Sequence, residues 1–243
     1  MKTLILIIVL IAANTIQAIT GFAGPLISMP PAIVLVGVDQ AKAIITFIGW
    51  LAALIVTIQN FKYIKWKELG KMILFMFIGM YLGILLFDAL PLNALLTFYA
   101  IVVAAIGAKN LLSQTLRKKE ASSHKLPVPI LFLVLIIAGM MQGMFTSGGS
   151  FLVIYAAVML TDKTEFRATV STVWVILNVF LMYNHFQWGF YTPETLKLIG
   201  LSIPPVFASI YIGNRIHDRL NAKAFLTFTY GLLIVSGGIL LFT

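Results

Sequence analysis

The 243-residue sequence predicts an all-α, polytopic membrane protein made of two inverted five-segment repeats, about eight full transmembrane helices plus two short half-helices. Three observations predict it. Hydrophobic side chains make up 60% of the chain and charged ones 10%, whereas a soluble domain carries roughly 45–50% apolar and about 25% charged residues. Ten apolar segments fill most of the length and leave no connection long enough for an extramembrane domain. The sequence also matches itself at a fixed offset. One membrane domain over 1–243 follows, with repeat 1 at 1–112, a linker at 113–128 and repeat 2 at 129–243.

An offset of 125 residues brings Gln17 onto Gln142, Gly24 onto Gly149, Lys42 onto Arg167, Ala43 onto Ala168 and Thr46 onto Ser171. It also brings Tyr63 onto Trp188 and Trp66 onto Tyr191. An offset of 130 then aligns Ala94-Leu95-Leu96-Thr97-Phe98 with Ala224-Phe225-Leu226-Thr227-Phe228. Because the register links polar, glycine and aromatic positions as well as Leu and Ile, chance matching of apolar runs does not account for it.

The segments follow in order. Residues 4–21 open the first repeat; Lys2 followed by LILIIVLIAA also resembles a secretory leader, but cleavage would remove Gln17, which has a repeat partner. Residues 26–38 follow Gly24-Pro25 and are short. Residues 43–58, 71–87 and 93–112 complete the repeat, and Gly79-x-x-x-Gly83 reads as a helix contact. The linker SQTLRKKEASSHKLPV is polar and basic. The second repeat holds 129–145, a short 151–160, then 169–183, 195–212 and 222–242. At 1.5 Å per residue a hydrocarbon core of ~30 Å needs about 20 helical residues, so 26–38 and 151–160 are half-helices.

Five segments are an odd number, so the second repeat must enter from the opposite side. The charges test this independently. If every segment changes side, Lys62, Lys65, Lys67, Lys71, Arg117, Lys118, Lys119, Lys125, Lys163, Arg167, Arg215, Arg219 and Lys223 share one side, and only Lys2, Lys42 and Lys197 the other. Lys109 lies near the inner end of its helix and is expected to snorkel. The bias makes the first side cytoplasmic, with both termini non-cytoplasmic, in a multi-pass protein of the cell (inner or plasma) membrane. The formal charge of +9 therefore reads as orientation, and no basic stripe interleaved with aromatics points to nucleic acid.

Candidate chemistry gathers at the two helix breaks, GlnAlaIleThrGlyPheAlaGlyProLeuIleSer from Gln17 and GlnGlyMetPheThrSerGlyGlySer from Gln142. A broken helix frees backbone amides and carbonyls, which membranes tolerate only where protein or a water-filled cavity covers them. Matched breaks in inverted halves are the pattern that points to a transporter's substrate site. A helix starting at Pro25 or Ser150 exposes its first amides and roughly half a positive charge, which favours an anion. Glycines ahead of it allow close approach. The expected substrate-binding set is Gln17, Thr20, Gly21, Gly24, Pro25, Gln142, Thr146, Ser147, Gly148, Gly149 and Ser150. Lys42, Thr46, Arg167, Ser171 and Asn178 are expected to line the path, with Trp50 and Trp174 as further candidates; for Lys42 and Arg167, on opposite faces, helix-end anchoring is the stronger reading and attraction of anions at the two mouths the second. Small residues also serve helix packing, so each Ser or Thr taken singly has that second reading.

Other chemistry finds little support. The chain has no cysteine, so thiolate and disulfide chemistry are excluded. All eight acidic residues fall in loops or at segment ends, which disfavours a carboxylate proton relay. His185 is expected at the interface, as are Trp66, Trp188 and Tyr191. No H-E-x-x-H or paired intramembrane carboxylates suggest a metal site or an enzyme, and no cofactor is expected. A scaffold subunit without a solute would have little reason to keep two matched breaks.

The chain resembles the sulfite exporter TauE/SafE family of membrane permeases. The resemblance rests on ITGFAGPLISMP and GMFTSGGSFLVI, each followed about 18 residues later by a basic residue, Ala and a hydroxyl, as Lys42-Ala43 with Thr46 and Arg167-Ala168 with Ser171. In the first half Ala23-Gly24-Pro25 stands where the family tends toward three glycines. The resemblance implies a permease for sulfite, sulfonate or a related organosulfur acid, working by alternating access. The expected partners are a small anionic solute, the lipid bilayer and a second copy in a homodimer.

Overall fold

In the computed structural model, residues 2–116, 127–160 and 162–217 are described. Among them the chain is all-helical. The helices are α1 Lys2–Thr20, α2 Gly24–Val36, α3 Val38–Gln59, α4 Trp66–Ala89, α5 Leu92–Leu116, α6 Val128–Phe145, α7 Gly149–Met159, α8 Lys163–Gln187 and α9 Pro193–His217, with a 3-10 turn at Phe61–Tyr63. Segment 222–242, the linker core 117–126 and the basic residues Arg117, Lys118, Lys119, Lys125, Arg219 and Lys223 lie outside the described residues.

Five helices, α1, α3, α4, α8 and α9, are long and apolar enough to cross a membrane. Their outward faces are apolar, with Leu74, Ile78, Tyr81 and Leu85 of α4 exposed, as lipid contact requires and water would penalise. The two short helices have the lengths expected of half-helices, 13 residues for α2 and 11 for α7, about 20 and 16 Å. Both start slightly earlier than the hydrophobic runs suggest. Pro25 occupies the first turn of α2, where a missing amide hydrogen costs nothing.

Small residues set how closely the long helices approach. Gly79 and Gly83 of α4 lie on the backbone of Ile136 and Met140, while Gly139 and Gly143 of α6 lie on the backbone of Met76 and Met80. A methyl group at any of the four would overlap a facing carbonyl. The reading of Gly79-x-x-x-Gly83 as a helix contact therefore holds, and α6 supplies a reciprocal pair. On the other flank Gly213 of α9 rests against the Thr15 carbonyl and Ala18 of α1. Between the flanks, α3 packs against α8 through the centre. Asp162 caps α8, its carboxylate accepting from the amides of Thr164 and Glu165 at 2.9 Å each.

Each short helix folds back on its predecessor, α2 on α1 and α7 on α6. The reversals use left-handed backbone. Gly21 has φ 85° and its amide donates to the Gln17 carbonyl at 2.6 Å; Thr146 has φ 55° and donates to the Gln142 carbonyl at 2.8 Å. Thr146 is the one non-glycine residue with positive φ among the described residues, in a conformation that costs an L side chain about 1–2 kcal/mol.

Replacing Gly79 or Gly143 by Ala is expected to destabilise the protein by about 1–3 kcal/mol through overpacking. Ala at Gly70 or Gly200, helical positions with open space around them, is expected to be neutral or stabilising by up to about 1 kcal/mol. Thermal unfolding of the four variants in detergent separates the two classes.

Candidate functional site

The two breaks meet inside the protein. A Cβ built on Gly149 would sit 2.6 Å from the Phe22 carbonyl oxygen and 3.2 Å from Phe22 Cβ, so the start of α7 touches the backbone of the first break. Gly24 lies as closely on the Gln17 side chain, 2.8 Å from its Cβ by the same construction. Glycine is required at both contacts because nothing larger fits.

Helix α3 reaches the second break and helix α8 the first. The Thr46 hydroxyl hydrogen-bonds the Thr146 hydroxyl at 3.2 Å, and Ser171 lies beside Gly21. The Trp174 indole donates to the Gly21 carbonyl at 2.8 Å, satisfying an acceptor that the end of α1 leaves open. The Gln142 amide donates to Asn178 Oδ1 at 2.8 Å, and its Oε1 accepts from the Gly148 amide at 3.1 Å. Gln17 donates to the Gly49 carbonyl at 3.2 Å, but its Oε1 is buried without a hydrogen-bond partner. Leaving such an atom unpaired costs about 1–3 kcal/mol.

Between these groups lies a cavity of about 10 Å³, bounded by Gln17, Phe22 and Pro25 of the first break, Gln142, Thr146 and Gly149 of the second, and Trp174 and Asn178 of α8. Such a space holds about one water. Its lining mixes the polar side chains of Gln17, Gln142, Thr146 and Asn178 with the apolar surfaces of Phe22, Pro25 and Trp174, and no charged residue borders it. Admission of an oxyanion requires the walls to separate.

Thr20, Ser147 and Arg167 have local partners. The Thr20 hydroxyl donates to the Ile16 carbonyl at 2.8 Å and accepts from the Phe22 and Ala23 amides at 3.4 and 3.3 Å, capping the first break. Ser147 pairs with the Tyr99 hydroxyl at 2.8 Å, and Ser150 is half-buried in the first turn of α7. Tyr99, fully buried on α5 and stacked on Phe145 at 4.3 Å, has no signal in the sequence beyond being one aromatic in an apolar helix. Arg167, 7% exposed, donates to Asn214, whose amide donates to Gln59 at 3.1 Å. Trp50 stays half-buried against Phe47, away from the cavity lining.

Two expectations need correction. Lys42 does not anchor a helix end in the interface, and His185 does not sit there either, because both are 0% exposed. The Lys42 ammonium lies 3.5 Å from the Phe87 ring centroid, 5.4 Å from that of Trp188 and 6.0 Å from that of Phe190, with no hydrogen bond. His185 stacks at 5.4 Å on Phe190 and lies 6.2 Å from Trp188, and neither of its ring nitrogens has a hydrogen-bond partner. Trp188 and Phe190, just after α8, therefore turn inward onto a cation. Tyr191 follows in the loop, and burial pushes its hydroxyl up to about 12, which keeps it a neutral donor.

Residues 5–240 match the sulfite exporter TauE/SafE family. The chain is 24% identical over 179 residues to the probable inner membrane transporter protein TsaS of Comamonas testosteroni, covering 73% of each chain. No solved structure matches.

Trp174→Phe is expected to lower stability by about 1–3 kcal/mol, because it strands the buried Gly21 carbonyl while keeping most of the ring volume. Thermal melting compared with Trp50→Phe, which removes an indole that makes no hydrogen bond, checks it.

Proposed function

Because the chain belongs to the sulfite exporter TauE/SafE family, we propose that it carries a small oxyanion, sulfite, a sulfonate or a related organosulfur acid, across the membrane by alternating access. The observation that carries this reading is the meeting of the two breaks, with the Phe22 carbonyl against Gly149 and both glutamines bordering one cavity. In it the anion lies between the breaks, held by the amides of Gln17 and Gln142, the Thr146 and Ser150 hydroxyls and the backbone N–H groups at the starts of α2 and α7. Ser147, Gly148, Thr20, Gly21, Gly24 and Pro25 shape the backbone that presents those groups.

The reading includes two inverted repeats in one domain. Several pairs of contacts support it, each the counterpart of another at the offsets found in the sequence. The Gly21 and Thr146 turns form the same amide bond, and Thr46 with Thr146 answers Ser171 with Gly21. Gly83 on Met140 answers Gly213 on Thr15. In alternating access the cavity opens toward one mouth at a time, with the close α4–α6 and α1–α9 contacts moving as rigid units. We further read both termini as non-cytoplasmic and admit a homodimer.

Gln17→Ala and Gln142→Ala are each expected to reduce sulfite flux in proteoliposomes at least about 100-fold, since each removes a donor to a charged ligand in a dry site and disturbs a break, while membrane insertion is retained. Normal flux in both variants contradicts the site.

A further inference from the structure

We propose that Lys42 and His185 form a second anion-recognition site, one helical turn from the paired breaks, which a sulfur oxyanion occupies when Lys42 leaves its aromatic cage. The proposal rests on the anion reading above and adds an entry station to it.

Lys42 and Thr46 lie four residues apart on α3, hence on one face and about 6 Å apart along the axis. Thr46 already touches Thr146 in the second break. An anion held at Lys42 is therefore one short step from the cavity between Gln17 and Gln142.

The cluster is also poorly satisfied as it stands. A buried ammonium normally has a carboxylate or several carbonyls around it. Lys42 has neither: Asp39 and Asp88 act on it electrostatically, but no ion pair within 4.0 Å joins them among the described residues. The Phe87 face only partly replaces lost hydration. Both nitrogens of His185 also lack hydrogen-bond partners. A leucine at 42 and a phenylalanine at 185 would pack here at lower cost, so stability does not explain these residues.

A lysine ammonium presents three donors and an imidazole at least one in either tautomer. Those are the complements of a small anion with several oxygens. The aromatic walls exclude water, which strengthens any charge-assisted bond formed there. In the present state the cage holds the ammonium in reserve. Opening of this mouth separates Phe87 at the end of α4 from Trp188 and Phe190 after α8, and frees Lys42 to meet the solute. At the opposite end Arg167, its equivalent at the 125-residue offset, is bonded to Asn214 instead.

The test measures uptake of radiolabelled sulfite by proteoliposomes, with KM and kcat resolved, for wild type, Lys42→Met, Lys42→Arg and Phe87→Leu. Monodispersity after extraction verifies folding of each. Lys42→Met is expected to raise KM about tenfold or more with kcat changed far less, and Lys42→Arg to stay within about threefold of wild type. Phe87→Leu keeps an apolar wall but removes the competing π face, and is expected to lower KM about threefold or more. Sulfite uptake by wild type together with an unchanged KM in Lys42→Met, or equal loss in the Met and Arg variants, overturns this inference alone. A wild-type protein that moves neither sulfite nor a sulfonate overturns the anion reading and this inference with it.

Discussion

Backbone polar groups released by breaking a helix need partners where no water is at hand. Most of this protein's interior answers that requirement. The end of α1 leaves the Gly21 carbonyl to Trp174, and the start of α7 leaves the Gly148 amide to Gln142. The Phe22 and Ala23 amides turn to the Thr20 hydroxyl. Each partner comes from a residue that must itself be held, so the requirement spreads outward: Gln142 leans on Asn178 of α8, and Gln17 on the Gly49 carbonyl of α3. The central pair α3 and α8 thus serves as the frame on which both breaks are supported. Gln17 Oε1, which is left without a partner, borders the cavity.

Glycine has two separate uses in this arrangement. At Gly149 it lets backbone approach backbone inside the site and at Gly24 it makes room for the Gln17 side chain; at Gly79, Gly83, Gly139 and Gly143 it lets long helices meet along smooth faces. Contacts of the second kind are stiff, because they rest on dispersion between closely packed main chains rather than on adaptable side chains. Rigid flanks and a pair of short, partly supported helices at the centre are the parts that the proposed alternating access would move against each other.

Much of this architecture was legible in the sequence because it depends on length and residue type. The short helices are readable since 13 and 11 residues cannot span a bilayer, and the breaks because Gln17 and Gly24 recur as Gln142 and Gly149 at one offset. Helix starts were read a few residues late, since glycine and proline carry no hydrophobic signal yet occupy the first turns of α2 and α7. Tyr99 was invisible: its bond to Ser147 depends on how α5 packs, and no local pattern encodes that. Lys42 and His185 were misjudged for a related reason. A charged or polar residue near a segment end belongs in the interface by composition, and only the inward turn of Phe87, Trp188 and Phe190 shows that this helix end is covered by protein.

The central claim is that two helix breaks contributed by different halves hold one anion between them. Equilibrium binding of sulfite to the purified protein, compared across wild type, the Gln17→Ala and Gln142→Ala variants and the double variant, tests it most directly. A shared site predicts that each single change removes most of the affinity and that the double variant is no weaker than the worse single one. Full affinity in either single variant, or losses that simply add, would contradict a common site.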